Sequence, residues 1–114
     1  MGFTVTAENA AVTGVKNAGN HISLHTADPG DTGASEVTGG TYAREATTWG
    51  TVASSAVTGS AVTSNVPAGT TITHWGLWTA VSGGSFLYGG PLAAPESFGS
   101  NGTYSLTPTI SASD

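Results

Sequence analysis

The chain has 114 residues, one domain by size. Gly, Thr, Ser and Ala fill 65 of those positions, so the core must be built from few large side chains. Its formal net charge of −5, with one Lys and one Arg in the whole chain, excludes a basic patch and with it nucleic acid or an anionic membrane surface as partner. Leu, Ile, Val and Phe total 20 residues, a share low enough to raise disorder. The near-neutral mean hydropathy and only nine charged residues remove the self-repulsion that keeps a disordered chain extended.

The N-terminal stretch M-G-F-T-V-T-A-E-N has neither the basic nor the apolar region of a secretion signal, and no apolar run reaches the ~20 residues of a membrane helix. Met1-Gly2 with Thr6 loosely fits a myristoylation pattern, against which Phe3, Glu8 and the lack of basic support argue. Phe3 to Thr6 reads as a short strand. A helix follows over 7–18, with Thr6 as N-cap, Glu8 in the first turn, an apolar stripe at Ala11, Val12, Val15 and Ala18, Lys16 in the last turn and Gly19 beyond it.

His21 to Thr26 alternates, with Ile22, Leu24 and Thr26 on one face and His21, Ser23 and His25 on the other, the pattern of a half-buried strand. Asp28-Pro29-Gly30 supplies a fixed φ followed by a residue free to take positive φ, as a type II turn requires. After an irregular stretch to Gly40, Thr41 to Trp49 reads as a strand, and Val52 to Val66 as one or two strands with a turn near Gly59. Thr71–Val81 and Ser85–Tyr88 form a hairpin through Gly83-Gly84. Gly89 to Gly102 reads as a loop, and Tyr104, Leu106 and Ile110 mark a last strand with Pro108 at its edge. The tripeptide V-T-G recurs at Val12, Val37 and Val57 at unequal intervals, which in this composition is chance.

These elements define a mainly β chain: one domain over 1–114, an antiparallel β-sandwich of six or seven short strands spanning about 20–111, with a single N-terminal helix. A thin core under a weakly charged surface predicts burial against copies of the chain or a larger assembly.

No cysteine is present, which removes disulfides, thiolate nucleophiles and Cys-based zinc sites. His21 and His25 are four residues apart, about 13 Å along a strand and too far to share one ion, so His25 is expected to hydrogen-bond the following loop instead. Asp28, Asp31 and Glu36 lack the alternating ligand spacing of a calcium loop and read as turn-forming carboxylates, with Asp28 fixing the loop. No G-x-S-x-G elbow, phosphate loop or dinucleotide fingerprint occurs, so the chain reads as no enzyme and as needing no cofactor. Arg44, the only Arg, is expected to fix a loop by stacking on an aromatic ring or pairing an acid of the preceding loop.

Trp75 and Leu77 share one face of the hairpin strand and Trp78 the other, so one indole is expected to anchor the core and the other to meet a neighbouring subunit. Trp49, Phe86 and Tyr88 complete the expected core-or-interface set. An indole stacking on a sugar is the functional competitor, carried by Trp75 or Trp78.

The run H-I-S-L-H-T-A-D-P-G-D-T-G-A-S-E-V-T-G-G-T-Y-A-R, with P-A-G-T-T-I-T-H-W-G-L-W-T-A-V-S-G-G-S-F-L-Y-G-G-P-L, resembles small virion proteins of tailed bacteriophages, particularly those of actinobacterial hosts. The second run is also similar to the G-L-[FW]-D-A-x-x-G-G unit of tail-fibre and collar modules, with Thr79 where that pattern often has Asp. The resemblance covers about residues 20–92 and brings no catalytic residues. It implies a structural protein on the virion exterior, assembled in the host cytoplasm with copies of itself and other virion proteins. The expected place is the tail, as a minor tail or fibre module; the alternatives are capsid decoration and a carbohydrate-binding module that reads host glycans.

Overall fold

A computed structural model describes residues 2–112. The described residues are mainly β, with one helix, α1 (Val5–Ala18), and eight strands: β1 (His21–His25), β2 (Glu45–Ala46), β3 (Ala56–Thr58), β4 (Val62–Val66), β5 (Thr70–Trp78), β6 (Phe86–Phe98), β7 (Gly102–Leu106) and β8 (Thr109–Ser111). Every pairing is antiparallel. One sheet runs β2-β1-β5-β6, and two two-stranded ladders, β3-β8 and β4-β7, form a second layer. The core lies on one face of the large sheet, where Ile22, Leu24, Ile72, Trp75 and Leu77 meet Val57, Val62, Val66 and Ile110 of the ladders and Val12 of α1.

The helix begins two residues earlier than the sequence indicated. Thr4, extended at φ −79°, accepts the Ala7 N–H on its Oγ1 and is the N-cap, so Val5 and Thr6 are drawn into the first turn. Phe3 to Thr6 is therefore not a strand. Of the expected stripe, Val12 is buried and Val15 partly so, whereas Ala11 and Ala18 face solvent, because only a narrow line of the helix lies over β3 and β8. Gly19 ends the helix in extended conformation and is required for space. A Cβ there would stand 2.3 Å from the Trp78 carbonyl oxygen and 2.9 Å from Leu87.

Strand β1 stops at His25, and Ile22 to His25 are all buried, so it is covered on both faces and not half-buried. The expected strand over 41–49 contributes only the two residues of β2 and an isolated bridge from Trp49 to Gly59, because Tyr42 and Arg44 are used in side-chain contacts described below. Val52 to Val66 gives β3 and β4, which pair with the final two strands and not with each other. Within it, Ser54 and Ser55 adopt positive φ (52° and 66°) in a two-residue turn closed by reciprocal Ala53–Ala56 backbone bonds. The helix holds this unusual turn, since Asn9 Oδ1 accepts the Ser55 N–H and buried Glu8 accepts its hydroxyl, both at 2.7 Å.

The hairpin strand ends at Trp78, and the connection spans 79–85 with Gly83 and Gly84 both at positive φ. The largest departure is β6. The stretch read as a loop after Gly89 stays paired with β5 as far as Phe98 despite Pro91 and Pro95. It can do so because β6 is the sheet's edge, where proline is tolerated, and because register shifts absorb Leu87 and the segment 92–95. The final segment divides at buried Pro108 into β7 and β8.

The glycine packing makes opposed expectations at two helix-associated positions. Gly19→Ala should cost about 1–3 kcal/mol, because the clash is with backbone. Gly14→Ala, in open space on α1, should stabilise by about 0.5–1 kcal/mol. Denaturant midpoints of the two variants check both.

Candidate functional site

The face of the large sheet opposite the core carries Ser23 and His25 from β1, Gly76 and Trp78 from β5, and Phe86 from β6. The segment 26–37 crosses this face as a strap. Its return end runs beside β1, with the Thr26 N–H donating to Ser35 O and the Val37 N–H to Leu24 O, both at 2.9 Å. Between these ends the Pro29 carbonyl accepts from both Gly33 and Ala34, and Asp28 Oδ1 accepts the Gly30 N–H at 2.9 Å. Gly30 takes the positive φ the turn chemistry called for. Gly33 lies flat on the Trp78 ring, where a Cβ would stand 2.4 Å from Cζ2. Trp78 meets Phe86 edge-on, with ring centroids 5.2 Å apart.

Arg44 closes this cluster. Its Nε and Nη2 fork onto the two carboxylate oxygens of Glu36 at 3.0 and 2.9 Å, and Nη1 donates to Ala80 O (3.0 Å) and Gly83 O (2.8 Å) in the β5–β6 turn. Its guanidinium carbon lies 3.7 Å from the centre of the Trp78 ring. One side chain thus joins the strap, the turn and the indole, with 9% of its own surface exposed. Tyr42 extends the network by donating to Glu36 Oε2 (2.8 Å) while its oxygen accepts the Leu24 N–H (3.0 Å). Burial pushes the Glu36 carboxyl up, but the hydrogen bonds from Arg44 and Tyr42 and the guanidinium charge outweigh it and hold the group below its ordinary value. Burial, reinforced by the neighbouring Glu36 carboxylate, pushes the Tyr42 phenol far up and keeps it a neutral donor.

His25 lies beneath the strap with no exposed surface. Its Nδ1 is 2.7 Å from Ala34 O and its Nε2 2.7 Å from Ser23 Oγ, which also accepts the Trp78 Nε1–H at 2.9 Å. A carbonyl and an indole N–H fix the donor directions at both ends. Nδ1 therefore carries the proton, and Ser23 donates to Nε2. This Ser–His pair is sealed beneath the strap and already bonded on every side, so the arrangement serves to hold the strap down. Burial pushes the His25 pKa down, an effect that Arg44 and His74 reinforce and that the Ala34 carbonyl and Glu36 only partly offset.

The other large side chains divide between core and rim. Trp75 packs on Tyr88 at 5.5 Å between centroids, with Gly90 against its Nε1, and Leu77 is fully buried opposite Ile22. Tyr88 accepts the Ser111 N–H on its hydroxyl, tying β6 to β8. Trp49 is half-buried at the end of α1, donating its Nε1–H to Gly19 O at 2.9 Å. Trp75 and Trp78 are 6% and 9% exposed and are both covered by their own chain, so neither indole is left free for a neighbouring subunit or a sugar ring. The division of labour expected of them is corrected accordingly, because the strap roofs the second face of β5. Among the described residues no three His, Asp or Glu side chains gather as a metal site, and no helix is long and apolar enough to cross a membrane. His21 Nδ1 is buried with no hydrogen-bond partner among the described residues. The sequence places Glu8 only in the first helical turn and Ser23 only on a strand face and gives Tyr42 no role, whereas in the fold Glu8 holds the Ser55 turn, Ser23 joins His25 to Trp78, and Tyr42 bonds Glu36. The expected pairing of Arg44 with an acid of the preceding loop falls on Glu36, and its expected stacking falls on Trp78.

The architecture is that of a small β-structural module in which the ionisable side chains of the aromatic cluster, His25, Glu36 and Arg44, are spent on internal fastening. A family model described as the podophage GP4 fiber I protein gp80 matches residues 5–110, and the chain belongs to this family of phage fibre proteins. No curated protein matches the chain. The family agrees with the resemblance to phage virion proteins, in its tail-fibre form.

The buried imidazole gives stability a defined pH dependence. With its folded pKa depressed below 6.5, His25 binds a proton less readily folded than unfolded. Its contribution is therefore complete above pH 6.5 and is lost as the pH falls through the folded value, with a slope of at most about 1.4 kcal/mol per pH unit. Glu36, also depressed, adds a second loss as the pH falls through its own folded value, below 4.5. Unfolding free energies of wild type and His25→Gln between pH 7.5 and 5 should converge as the pH falls; parallel curves would remove His25 from this role.

Proposed function

We propose that the chain is a non-enzymatic structural component of the tail fibre of a tailed phage. It folds as a single domain, is displayed in several copies on the virion exterior, is assembled in the host cytoplasm, and is held there by other virion proteins and by copies of itself. The observation that carries this reading is the match to a phage fibre family over residues 5–110. The geometry supports it. The ionisable groups of the aromatic cluster are consumed in tying loops to the sheet, leaving no poised acid, base or nucleophile there. The ladders carry paired hydroxyls on exposed residues, Thr63 with Ser105 and Thr58 with Thr109, a surface that carries no charge field to attract small ionic substrates.

Immunogold labelling of intact particles of the encoding phage tests the proposal. Gold confined to the tail fibres is the expected result. Gold spread over the head would show a capsid-decorating protein instead, and absence of the chain from purified particles would overturn a virion role.

A further inference from the structure

The strap 26–37 is fastened unevenly. Its two ends are tied to each other and to β1 by backbone bonds, and at the return end Glu36 is gripped by Arg44 and Tyr42. The tip between them, 27–34, spends its bonds on itself: the Pro29 carbonyl accepts from Gly33 and Ala34, and Asp28 Oδ1 accepts from Gly30. Among the described residues the tip's one hydrogen bond to the sheet runs from His25 Nδ1 to the Ala34 carbonyl, at 2.7 Å. Otherwise it rests on Gly33 against the Trp78 ring and on Pro29 over Gly89, where a Cβ would stand 2.8 Å from the proline ring. Six of its eight residues are exposed, so little buried surface holds it down.

Neutral His25 satisfies every group around it. Its Nδ1–H bonds the Ala34 carbonyl, Nε2 accepts from Ser23, and Ser23 Oγ accepts the Trp78 Nε1–H. A proton added at Nε2 turns that nitrogen into a donor. Two donors, Nε2–H and the indole N–H, then converge on Ser23 Oγ, and the Ser23 proton loses its acceptor in a site with no exposed surface. The new charge has no free partner either. Glu36, the acid that faces it, already has both oxygens committed to Arg44 and Tyr42. Arg44, and His74 on β5, are the other titratable groups facing His25, and both disfavour a cation there. Gly76 of β5 and Phe86 of β6 lie against the imidazole and offer no polar side-chain atom. Lifting the tip admits water to the imidazolium and breaks none of the tip's internal bonds.

We propose that the tip of the strap is a pH-sensitive flap, which lifts off the Trp78 and Phe86 rings when His25 is protonated while the rest of the fold stays closed. This goes beyond an acid loss of overall stability, because only 27–34 moves, and it does not depend on where the chain sits in the virion. Closed, His25 binds a proton less readily than an ordinary imidazole; reached by water in the open form, it returns to the ordinary value of 6.5. Closure is therefore at full strength above pH 6.5. Below it the open-to-closed ratio rises by at most about tenfold per pH unit, until the closed-state value is passed. Glu36, held below 4.5, keeps its charge through this window, so the return end stays clamped to Arg44.

NMR of the isotope-labelled full chain between pH 7.5 and 4.5 tests this. The nuclear Overhauser contacts of Gly33 with the Trp78 ring and of Pro29 with Gly89 should fade as the His25 ring signals titrate, and 28–33 should gain fast backbone motion. The core contacts Ile22 to Leu77 and Val57 to Ile110 should persist throughout. His25→Gln has no titrating group at this position. Whether Gln holds the tip down or leaves it loose, its tip signals should not change over the same pH range. A wild-type tip that stays seated down to pH 4.5, core contacts that fade together with those of the tip, or a tip that still loosens with falling pH in His25→Gln overturns the proposal.

Discussion

Arg44 lying on the Trp78 ring while it forks onto Glu36 is the contact on which the non-core half of the fold depends. It joins three stretches distant in sequence: the strap through Glu36, the β5–β6 turn through the Ala80 and Gly83 carbonyls, and the sheet itself through the indole. A lysine could supply the charge but neither the fork nor the flat surface that covers the ring. Because both partners are largely screened from solvent, removing either one would strand a charge, a larger penalty than losing a surface pair. The pair therefore acts as a fastener that specifies where the strap lies.

The reason for the strap follows from the composition. With so few large apolar residues, the chain builds one dry core, on the face where Ile22, Leu24, Trp75 and Leu77 meet the ladders, and has little left to cover the reverse of the same sheet. Covering it with a second apolar layer would need side chains the sequence does not have. A glycine laid directly on the Trp78 ring, a buried neutral imidazole and a forked ion pair seal it with almost no added bulk. Glycine at 33, 76 and 89 is needed on that face for closeness of approach, since a Cβ at any of the three would collide with the aromatic or proline atoms opposite.

What was legible in the sequence was the part governed by local rules. The helix, the period-two stretch at 21–26, the turn at Asp28-Pro29-Gly30 and the β5 strand with an indole on each face all have short-range causes. The parts that escaped are decided across the fold. Proline at 91 and 95 argued for a loop and was overridden because β6 has an open edge and irregular register there. The stretch 41–49 has strand-forming residues, yet Tyr42 and Arg44 turn to Glu36, and only Glu45 and Ala46 stay in the ladder. Arg44 was read as stacking or pairing with an acid. That it does both, and also bonds two carbonyls beyond β5, depends on a turn 36 residues or more away, which spacing along the chain does not reveal. Ser23 and Tyr42 were invisible for the same reason, being ordinary residues until the strap lies over them.

If Arg44 and Glu36 act as a unit, their contributions to stability are not additive. A double-mutant cycle on Arg44→Gln and Glu36→Gln, read from urea unfolding at neutral pH, measures this directly. A coupling of about 1–3 kcal/mol, with each single variant losing most of what the double variant loses, is the result this account requires. A coupling below about 0.5 kcal/mol would show that the strap is held by its backbone bonds alone and that the ion pair is incidental.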